Sequence, residues 1–195
     1  MRRGRLIVVS GPSGAGKSTL IRAALDAIPE LAYSVSATTR EPRPGEVNGR
    51  DYIFLSREEF ERWIEGRYFL EWAEYSGNLY GTPKQRVEEM LESGLSVILE
   101  IELQGARKVR EERPDAVMVF VRPPSIEETR RRLEGRATET SEALEKRMAT
   151  ALEEMAARDE FNHEVVNAER RQARRDMIET LQSIVAGGDE YSARP

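Results

Sequence analysis

The chain has 195 residues, of which 39% are hydrophobic and 33% charged, so neither a disordered nor a fibrous protein is predicted. The formal net charge of −5 argues against nucleic acid as the main partner, because a global positive field is missing. Without cysteine the chain cannot form disulfides, thiolate metal sites or a cysteine nucleophile, and this composition fits the cytoplasm.

The first predicted element is a buried strand. The β-branched run Leu6 to Val9 ends at Ser10-Gly11-Pro12, which indicates that a loop follows it. A helix is then predicted from Lys17 to about Ile28, where Pro29 ends it. From Tyr33 to Leu55 short alternating pieces surround turn residues, which favours strands and loops over helix.

Helices and strands alternate through the middle of the chain. Ser56 to Glu59 forms a capping box that predicts a helix to about Gly66, and Phe69 to Tyr80 has the pattern of strand, turn and strand. A helix is predicted to start at Thr82, with Pro83 at its first position, and to end near Gly94. The apolar runs Ser96 to Ile101 and Ala116 to Val121, each followed by a helical segment, are typical of parallel strands covered on both faces.

The last third of the chain is predicted to be mainly helical. Ser125 opens a second capping box, and two apolar stripes with helical spacing follow. The first consists of Leu144, Met148, Leu152 and Met155, and the second of Met177, Ile178, Leu181, Ile184 and Val185. Both stripes are predicted to face the core. Strand–helix alternation broken by one small β-rich insertion predicts an α/β fold.

Gly11 to Ser18 matches the P-loop pattern G-x-x-x-x-G-K-[ST], with a strand before it and a helix after it. Glycines let backbone N–H groups converge on phosphate oxygens, Lys17 is expected to reach the β- and γ-phosphates, and the Ser18 hydroxyl to ligate magnesium. The alternative is a glycine-rich turn, but a chance match is on the order of 1%. The chain is therefore predicted to bind ATP with Mg²⁺. The predicted contacts are Gly11, Pro12, Ser13, Gly14, Ala15, Gly16, Lys17, Ser18 and Thr19.

Arg40 and Arg43 lie in a loop that Pro42 and Pro44 stiffen. Guanidinium forks pair with phosphate in bidentate fashion, and a fixed loop lowers the entropy lost on binding. The loop therefore suits a second small anion, although these residues alone are equally compatible with a solvated basic turn.

Several long motifs occur in an order that resembles guanylate kinase. They are Gly11 to Ser18, Ser34 to Arg43, Gly45 to Tyr52, Gly77 to Gly81, Glu100 to Gly105, Pro123 to Ser125 and Arg132 to Arg136. The resemblance extends to about Asn167. It implies a P-loop NTPase fold with a parallel sheet and helices on both faces, a β-rich insertion that binds a nucleoside monophosphate, and a short lid. It also implies transfer of the γ-phosphoryl group of ATP to GMP, giving ADP and GDP.

The resemblance implies roles for the acceptor residues. Those that match the surroundings of the GMP phosphate are Ser36, Arg40, Arg43, Tyr52 and Tyr80. Glu71 and Thr82 match the pair that reads guanine, since a carboxylate accepts from N1–H and the exocyclic amine while a hydroxyl donates to O6. Without the resemblance, Glu71 would be interpreted as a surface carboxylate.

Glu100 and Glu102 match acids near magnesium and the acceptor base, with Glu100 as the predicted metal ligand beside Ser18. The second acid is more usually Asp. The alternative for both is an ion pair at a strand end, with Arg107 or Lys108.

The resemblance also implies a lid over ATP. Arg132, Arg136 and Arg147 match arginines that approach the phosphates on closure, and with Lys17 and Arg40 they form the predicted catalytic set. Arg130 and Arg131, which precede the lid, are expected to be solvent-exposed, and Ala137 within it replaces a common glycine. Asn167 is expected near adenine, with Ala168 in place of the usual Asp. His163 is expected to be structural or on the surface.

The predicted division of the chain is a P-loop core of residues 1–32, 83–131 and 148–186, an insertion of 33–82, a lid of 132–147 and a frayed tail of 187–195. Two other functions stay open: a non-catalytic guanylate-kinase-like binding module, and a kinase of the same fold for another small phosphate such as a ribose bisphosphate. The expected partners are ATP and GMP, without nucleic acid. No membrane partner is expected, since no stretch reaches the ~20 apolar residues of a span. A homo-oligomer is neither indicated nor excluded by the sequence.

Overall fold

The computed structural model describes residues 2–75, 77–134 and 141–187. Their strands, numbered in chain order, are β1 (Leu6–Ser10), β2 (Leu31–Tyr33), β3 (Ala37–Thr38), β4 (Ile53–Phe54), β5 (Phe69–Tyr75), β6 (Asn78–Pro83), β7 (Ser96–Glu100), β8 (Val117–Arg122) and β9 (His163–Val166). The main sheet has the order β2-β7-β1-β8-β9, and all of its pairs are parallel. Parallel strands need crossovers, and helices supply them.

The helices are α1 (Lys17–Ala27), α2 (Arg57–Glu65), α3 (Lys84–Glu92), α4 (Leu103–Glu112), α5 (Ile126–Glu134), α6 (Ser141–Ala156) and α7 (Arg170–Ala186), with a 3₁₀ turn at Ala157–Glu160. Within the ranges given above, no helix has the length and apolar character needed to cross a bilayer. The capping box at Ser56 is confirmed, because its Oγ accepts from Glu59 N and the Glu59 carboxylate accepts from Ser56 N.

Strand alternation divides the main core between the two faces of the sheet. Ile7 and Val9 of β1 pack with residues of α1 and α7, whereas Leu6 and Val8 pack with residues of α3 and α4. All four side chains are at most 1% exposed. This arrangement confirms the predicted α/β fold with a parallel sheet covered by helices on both faces.

A second sheet, with the order β4-β3-β6-β5, is formed by strands from residues 37–83. Its strands β5 and β6 form an antiparallel hairpin. Ala37, Phe60, Phe69 and Leu79 make a separate small core, in which the rings of Phe60 and Phe69 stack with centroids 4.4 Å apart. The sheet falls within the predicted insertion, except that β6 continues to Pro83. Tyr33, by contrast, belongs to the main sheet.

Two predictions about single elements were wrong. The helix predicted after Thr82 is present as α3, but its start was wrong by one residue: β6 runs through Pro83, α3 begins at Lys84, and the Thr82 side chain bonds across the hairpin instead of capping the helix. Leu152 does not face the core, since it is 45% exposed. Burial along α6 follows Met148, Ala151 and Glu154, which are three residues apart, so the buried face diverges from the apolar stripe.

The stripe on α7 is confirmed, with Met177, Leu181 and Ile184 fully buried. Much of the predicted lid, including Arg136 and Ala137, and residues 188–195 of the predicted tail lie outside the described residues. The division into core, insertion, lid and tail stays a prediction.

Candidate active site

The carboxyl ends of the parallel strands meet at one edge of the main sheet, where ligands bind in open α/β folds. The chain leaves β1 into the predicted P-loop, β7 ends at Glu100, and Asn167 directly follows β9. Tyr33 ends the neighbouring strand β2. Side chains that are far apart in sequence therefore converge at this edge.

The P-loop has the backbone that its glycines predict. Gly11, Gly14 and Gly16 have φ values of 138°, 83° and 90°, which disfavour other residues. A Cβ on Gly11 would also overlap the Val121 carbonyl oxygen. Lys17 is only 8% exposed, and its Nζ donates to the Gly11 carbonyl at 2.5 Å. The loop thus wraps around a largely buried ammonium group at the start of α1.

Asn167 supports the P-loop directly. Its buried Nδ2 donates to the Ala15 carbonyl at 2.7 Å, and a side chain at Gly16 would collide with this amide. The resemblance implied a place near adenine for Asn167, and this contact with the P-loop was not predicted from the sequence. Only the fold could reveal it, because 152 positions separate the two residues.

Glu100 accepts hydroxyl hydrogens from two elements. Ser18 Oγ on α1 donates to one carboxylate oxygen at 2.7 Å, and the Tyr33 hydroxyl to the other at 3.4 Å. Burial and the nearby Glu100 charge raise the pKa of Tyr33 far above its usual range, so this hydroxyl keeps its proton. The ion pairs expected under the alternative interpretation do not form: Arg107 pairs with Glu160, and Lys108 donates to the Trp72 carbonyl.

The loop between β3 and β4, residues 39–52, holds Arg40 and Arg43 and is called the arginine loop below; it contains a carboxylate that was not singled out from the sequence. Glu46 accepts from both terminal nitrogens of Arg40, each at 3.0 Å, and from the backbone N–H of Arg43 at 2.7 Å. The Arg40 guanidinium also lies over the Tyr52 ring, 5.2 Å from its centroid. Hydrogen bonds from Arg40 and the Arg43 backbone lower the pKa of Glu46, which is therefore ionised at neutral pH.

Glu71 and Thr82 lie opposite each other in the β5–β6 hairpin, which brings together the pair that the sequence analysis predicted. The Thr82 hydroxyl donates to the Glu71 carboxylate at 2.7 Å, and the two residues are 0% and 6% exposed, respectively. Burial raises the pKa of Glu71 despite this bond. Gly105 on α4 adjoins the pair, since a Cβ there would lie 2.8 Å from Glu71 Oε2.

A second buried carboxyl, Glu154 on α6, faces Glu102 at the start of α4. Glu154 is 5% exposed, and burial together with the neighbouring Glu102 raises its pKa to about 9, while Lys17 acts in the opposite direction. Glu154 was not predicted from the sequence, because an apolar stripe along this helix does not include a carboxyl group. Its spacing of three residues from Ala151 and six from Met148, which places it on their face of the helix, was the feature that could have indicated its burial.

Two of the predicted lid arginines contact the region of the P-loop. Arg147 Nη2 donates to Ser13 Oγ at 2.9 Å. Arg132 Nη2 donates to the Asn167 carbonyl at 2.8 Å, and its Nε to Glu128 at 2.7 Å. The side chains of Arg130 and Arg131 are 53% and 77% exposed, which confirms their predicted exposure.

Two cavities of about 660 Å³ each open along this edge. The first contains the P-loop from Ser13 to Ser18, together with Arg43 and Glu46. The second contains Glu71, Tyr80, Gly105 and Glu154. Five residues line both cavities: Ser36, Tyr52, Glu100, Ile101 and Glu102. The phosphate loop and Glu71 thus line adjoining spaces, each within the size range of small-molecule sites, and Thr82 lies behind Glu71 without lining either cavity.

The sequence model of the guanylate kinase family matches residues 3–184. This chain belongs to the guanylate kinase family. A guanylate kinase from Rubrobacter xylanophilus is 80% identical over 189 residues, which cover 97% of this chain and 99% of that protein. A guanylate kinase from Trichormus variabilis is 52% identical over 164 residues, 84% of this chain and 82% of its own.

The structural comparison agrees with the sequence comparison. The crystal structure of guanylate kinase from Anaplasma phagocytophilum aligns with a TM-score of 0.78 at 31% identity, covering all of this chain and 90% of its own. Together these findings confirm the resemblance to guanylate kinase that the sequence motifs predicted.

Proposed function

We propose that this chain transfers the γ-phosphoryl group of ATP to GMP and releases ADP and GDP, as a nucleoside monophosphate kinase of purine nucleotide metabolism and GMP recycling. The observation that carries the proposal is the adjoining pair of cavities with a shared wall at Ser36, Tyr52 and Glu100. A donor bound at the P-loop and an acceptor bound at Glu71 would meet at that wall. Phosphoryl transfer depends mainly on such positioning.

On the donor side, residues 11–19 would hold the ATP phosphates through backbone N–H groups at the start of α1. Lys17 Nζ, which donates to the Gly11 carbonyl, would turn to the β- and γ-phosphates. Arg132 and Arg147 lie close enough to the loop to neutralise charge on the transferred group. Arg136 completes the proposed set from outside the described residues.

Magnesium fits the oxygen atoms at this site. Ser18 Oγ and Glu100 Oε1 lie 2.7 Å apart, and hydroxyl and carboxylate oxygens are ligands that Mg²⁺ prefers. In the parts of the chain described, no group of three or more acidic, His or Cys residues could hold a metal, so phosphate oxygens and water would supply most ligands. When bound, the ion neutralises charge on the β- and γ-phosphates.

On the acceptor side, Ser36, Arg43, Tyr52 and Tyr80 would surround the GMP phosphate together with Arg40. The buried Glu71 carboxylate accepts a hydrogen bond from the neutral Thr82 hydroxyl, and guanine would add two N–H donors from its N1 and exocyclic amine. Adenine presents the opposite pattern at these positions. The selection of guanine therefore follows from the cost of leaving a buried carboxylate poorly paired.

Several broader expectations remain part of this proposal. ATP and GMP are the proposed partners, and direct in-line transfer is the proposed route. A cytoplasmic location is supported by the cysteine-free sequence. The retained Lys17 and Ser18 favour catalysis over a binding module, and the Glu71–Thr82 pair favours guanine over a ribose phosphate.

A coupled assay of ADP release tests the acceptor directly, with GMP, AMP, UMP and ribose phosphates offered in turn to the protein with ATP and magnesium. We expect turnover with GMP far above that with the others. The variant Glu71→Ala should lose GMP use while ATP binding is retained, and Glu65→Ala, at an exposed position of α2, should match the wild type. Turnover with a ribose phosphate, or GMP binding without ADP release, would overturn the proposal in favour of one of the two alternative functions.

A further inference from the structure

The Arg40 side chain already has an anionic partner within its own loop. Both terminal nitrogens of Arg40 donate to the Glu46 carboxylate, and Nη1 also donates to the Glu41 carbonyl at 2.7 Å. This is the bidentate geometry in which a guanidinium binds a phosphate. The Glu46 carboxylate and an acceptor phosphate therefore cannot both use the same two nitrogens.

Glu46, rather than Arg40, faces the phosphate cavity. Among the described residues that line this cavity, the arginine loop contributes Arg43, Glu46, Arg50, Asp51 and Tyr52, and Arg40 is not one of them. The side chains of Arg40 and Glu46 are 14% and 20% exposed. The carboxylate thus lies between the guanidinium and the space that an acceptor phosphate would enter.

The loop can exchange one anion for another without moving the arginine. Arg40 lies over the rings of Tyr52 and Phe54, at 5.2 and 5.8 Å from their centroids, and these contacts fix the guanidinium independently of Glu46. Glu46 belongs to an exposed stretch and follows Gly45, which has a φ of 87°. Glu46 is therefore the partner that can leave.

We propose that Glu46 is an affinity-determining residue that occupies the Arg40 fork in the absence of acceptor and is displaced by the GMP phosphate. This inference rests on the proposed function. Only the fraction of molecules with a released fork is competent to bind, so the intramolecular carboxylate lowers the apparent affinity for the acceptor. It also raises the concentration that a weaker anion needs to bind Arg40, because that anion must compete with a carboxylate held at high effective concentration.

Calorimetric titration with GMP and with guanosine tests this role, using the wild type and three variants. Glu46→Gln keeps the size and the accepting oxygen for Arg43 N but removes the charge that holds Arg40. Glu41→Gln is the matched control, because Glu41 is an exposed carboxylate of the same loop that accepts from Arg40 through its backbone oxygen. Arg43→Ala reports whether the GMP phosphate binds this loop at all.

We expect Glu46→Gln to lower the Kd for GMP about two- to fivefold, the range of a partly exposed ion pair, and to leave the Kd for guanosine unchanged. Glu41→Gln should change neither. An unchanged or higher Kd for GMP in Glu46→Gln, with GMP binding weakened by Arg43→Ala, would overturn the role of Glu46 and leave the acceptor site standing. GMP binding unaffected by Arg43→Ala would overturn the proposed acceptor site and this inference with it.

Discussion

Gly105 has a role that its backbone conformation does not explain. It lies in the first turn of α4 with a helical conformation, where alanine would ordinarily be more stable by about 1 kcal/mol. The space beside it is what excludes a side chain, since a Cβ would approach Glu71 Oε2 to 2.8 Å. The glycine thus allows the buried carboxylate to lie against the helix.

Gly105→Ala is predicted to weaken GMP binding without unfolding the protein. The added methyl group must displace the Glu71 carboxylate from its place beside Thr82, which would cost a hydrogen bond between Glu71 and guanine. The loss of one such bond to a charged group corresponds to roughly tenfold in affinity for GMP. Steady-state kinetics should therefore show a higher KM for GMP at an unchanged KM for ATP. Glu112→Ala, an exposed position on the same helix, is the control. Equal losses for the two substrates would contradict this account.

At the scale of single residues, sequence reasoning found groups whose chemistry is distinctive and missed groups whose role is spatial. Lys17, Ser18, Glu71 and Thr82 were named in advance; the fold places Lys17 and Ser18 in the first cavity and Glu71 in the adjoining one, with Thr82 bonded to Glu71, while their roles stay predictions. The packing role of Gly105 depends on an approach between α4 and β5 that no local pattern encodes. The contact of Glu46 with Arg40 spans only six residues, but a carboxylate in an exposed turn is ordinarily solvated.

The helix α2 is held at its start by a complete capping box and by its packing against the second sheet. Ser56 Oγ accepts from Glu59 N at 3.2 Å, and the Glu59 carboxylate accepts from Ser56 N at 2.8 Å. One turn later Phe60 is fully buried and stacks on Phe69 of β5. The cap therefore stabilises the small core on which Glu71 and Thr82 depend.

Ser56→Ala is expected to lower the free energy of unfolding by about 1 kcal/mol, the typical loss for an N-cap serine. Urea denaturation followed by circular dichroism measures this change. Ser56→Asp should retain most of the stability, because Asp caps as well as Ser. Two results would count against the cap: a loss in Ser56→Asp as large as in Ser56→Ala, or no loss in either variant.

At the scale of whole elements, the spacing of apolar residues predicted most strands and helices, because that spacing reflects which side chains each element buries. The near-continuous apolar runs of β7 and β8 are covered on both faces, as expected of a central parallel strand. The failure at Thr82 has a local cause: Thr-Pro suits a helix start as well as the end of a strand, and the pairing of Glu71 with Thr82 decides for the strand. The misassigned face of α6 reflects Glu154, a buried ionisable residue that an apolar pattern cannot include.

For the whole molecule, the buried carboxyls make stability depend on pH in an uncommon direction. Burial raises the pKa of both Glu71 and Glu154 above the ordinary value of 4.5. Well below that value these carboxyls are protonated in both the folded and the unfolded chain and contribute no pH dependence. Above it the unfolded chain ionises first, whereas Glu154 keeps its proton in the folded protein, so the free energy of unfolding falls as the pH rises towards about 9, the pKa of Glu154.

Glu154→Gln is predicted to be more stable than the wild type at pH 8, with an advantage that shrinks towards pH 5. The amide carries no charge to bury, and its N–H can donate to Glu102, whereas the native carboxyl must hold a proton to do so. Glu71 is present in both proteins, so its contribution cancels in the difference. Thermal denaturation at pH 5, 6.5 and 8 measures the effect, with Glu145→Gln, an exposed position on the same helix, as the control. A difference in Tm that is constant across this range, or equal to that of the control, would show that Glu154 is ionised in the folded protein.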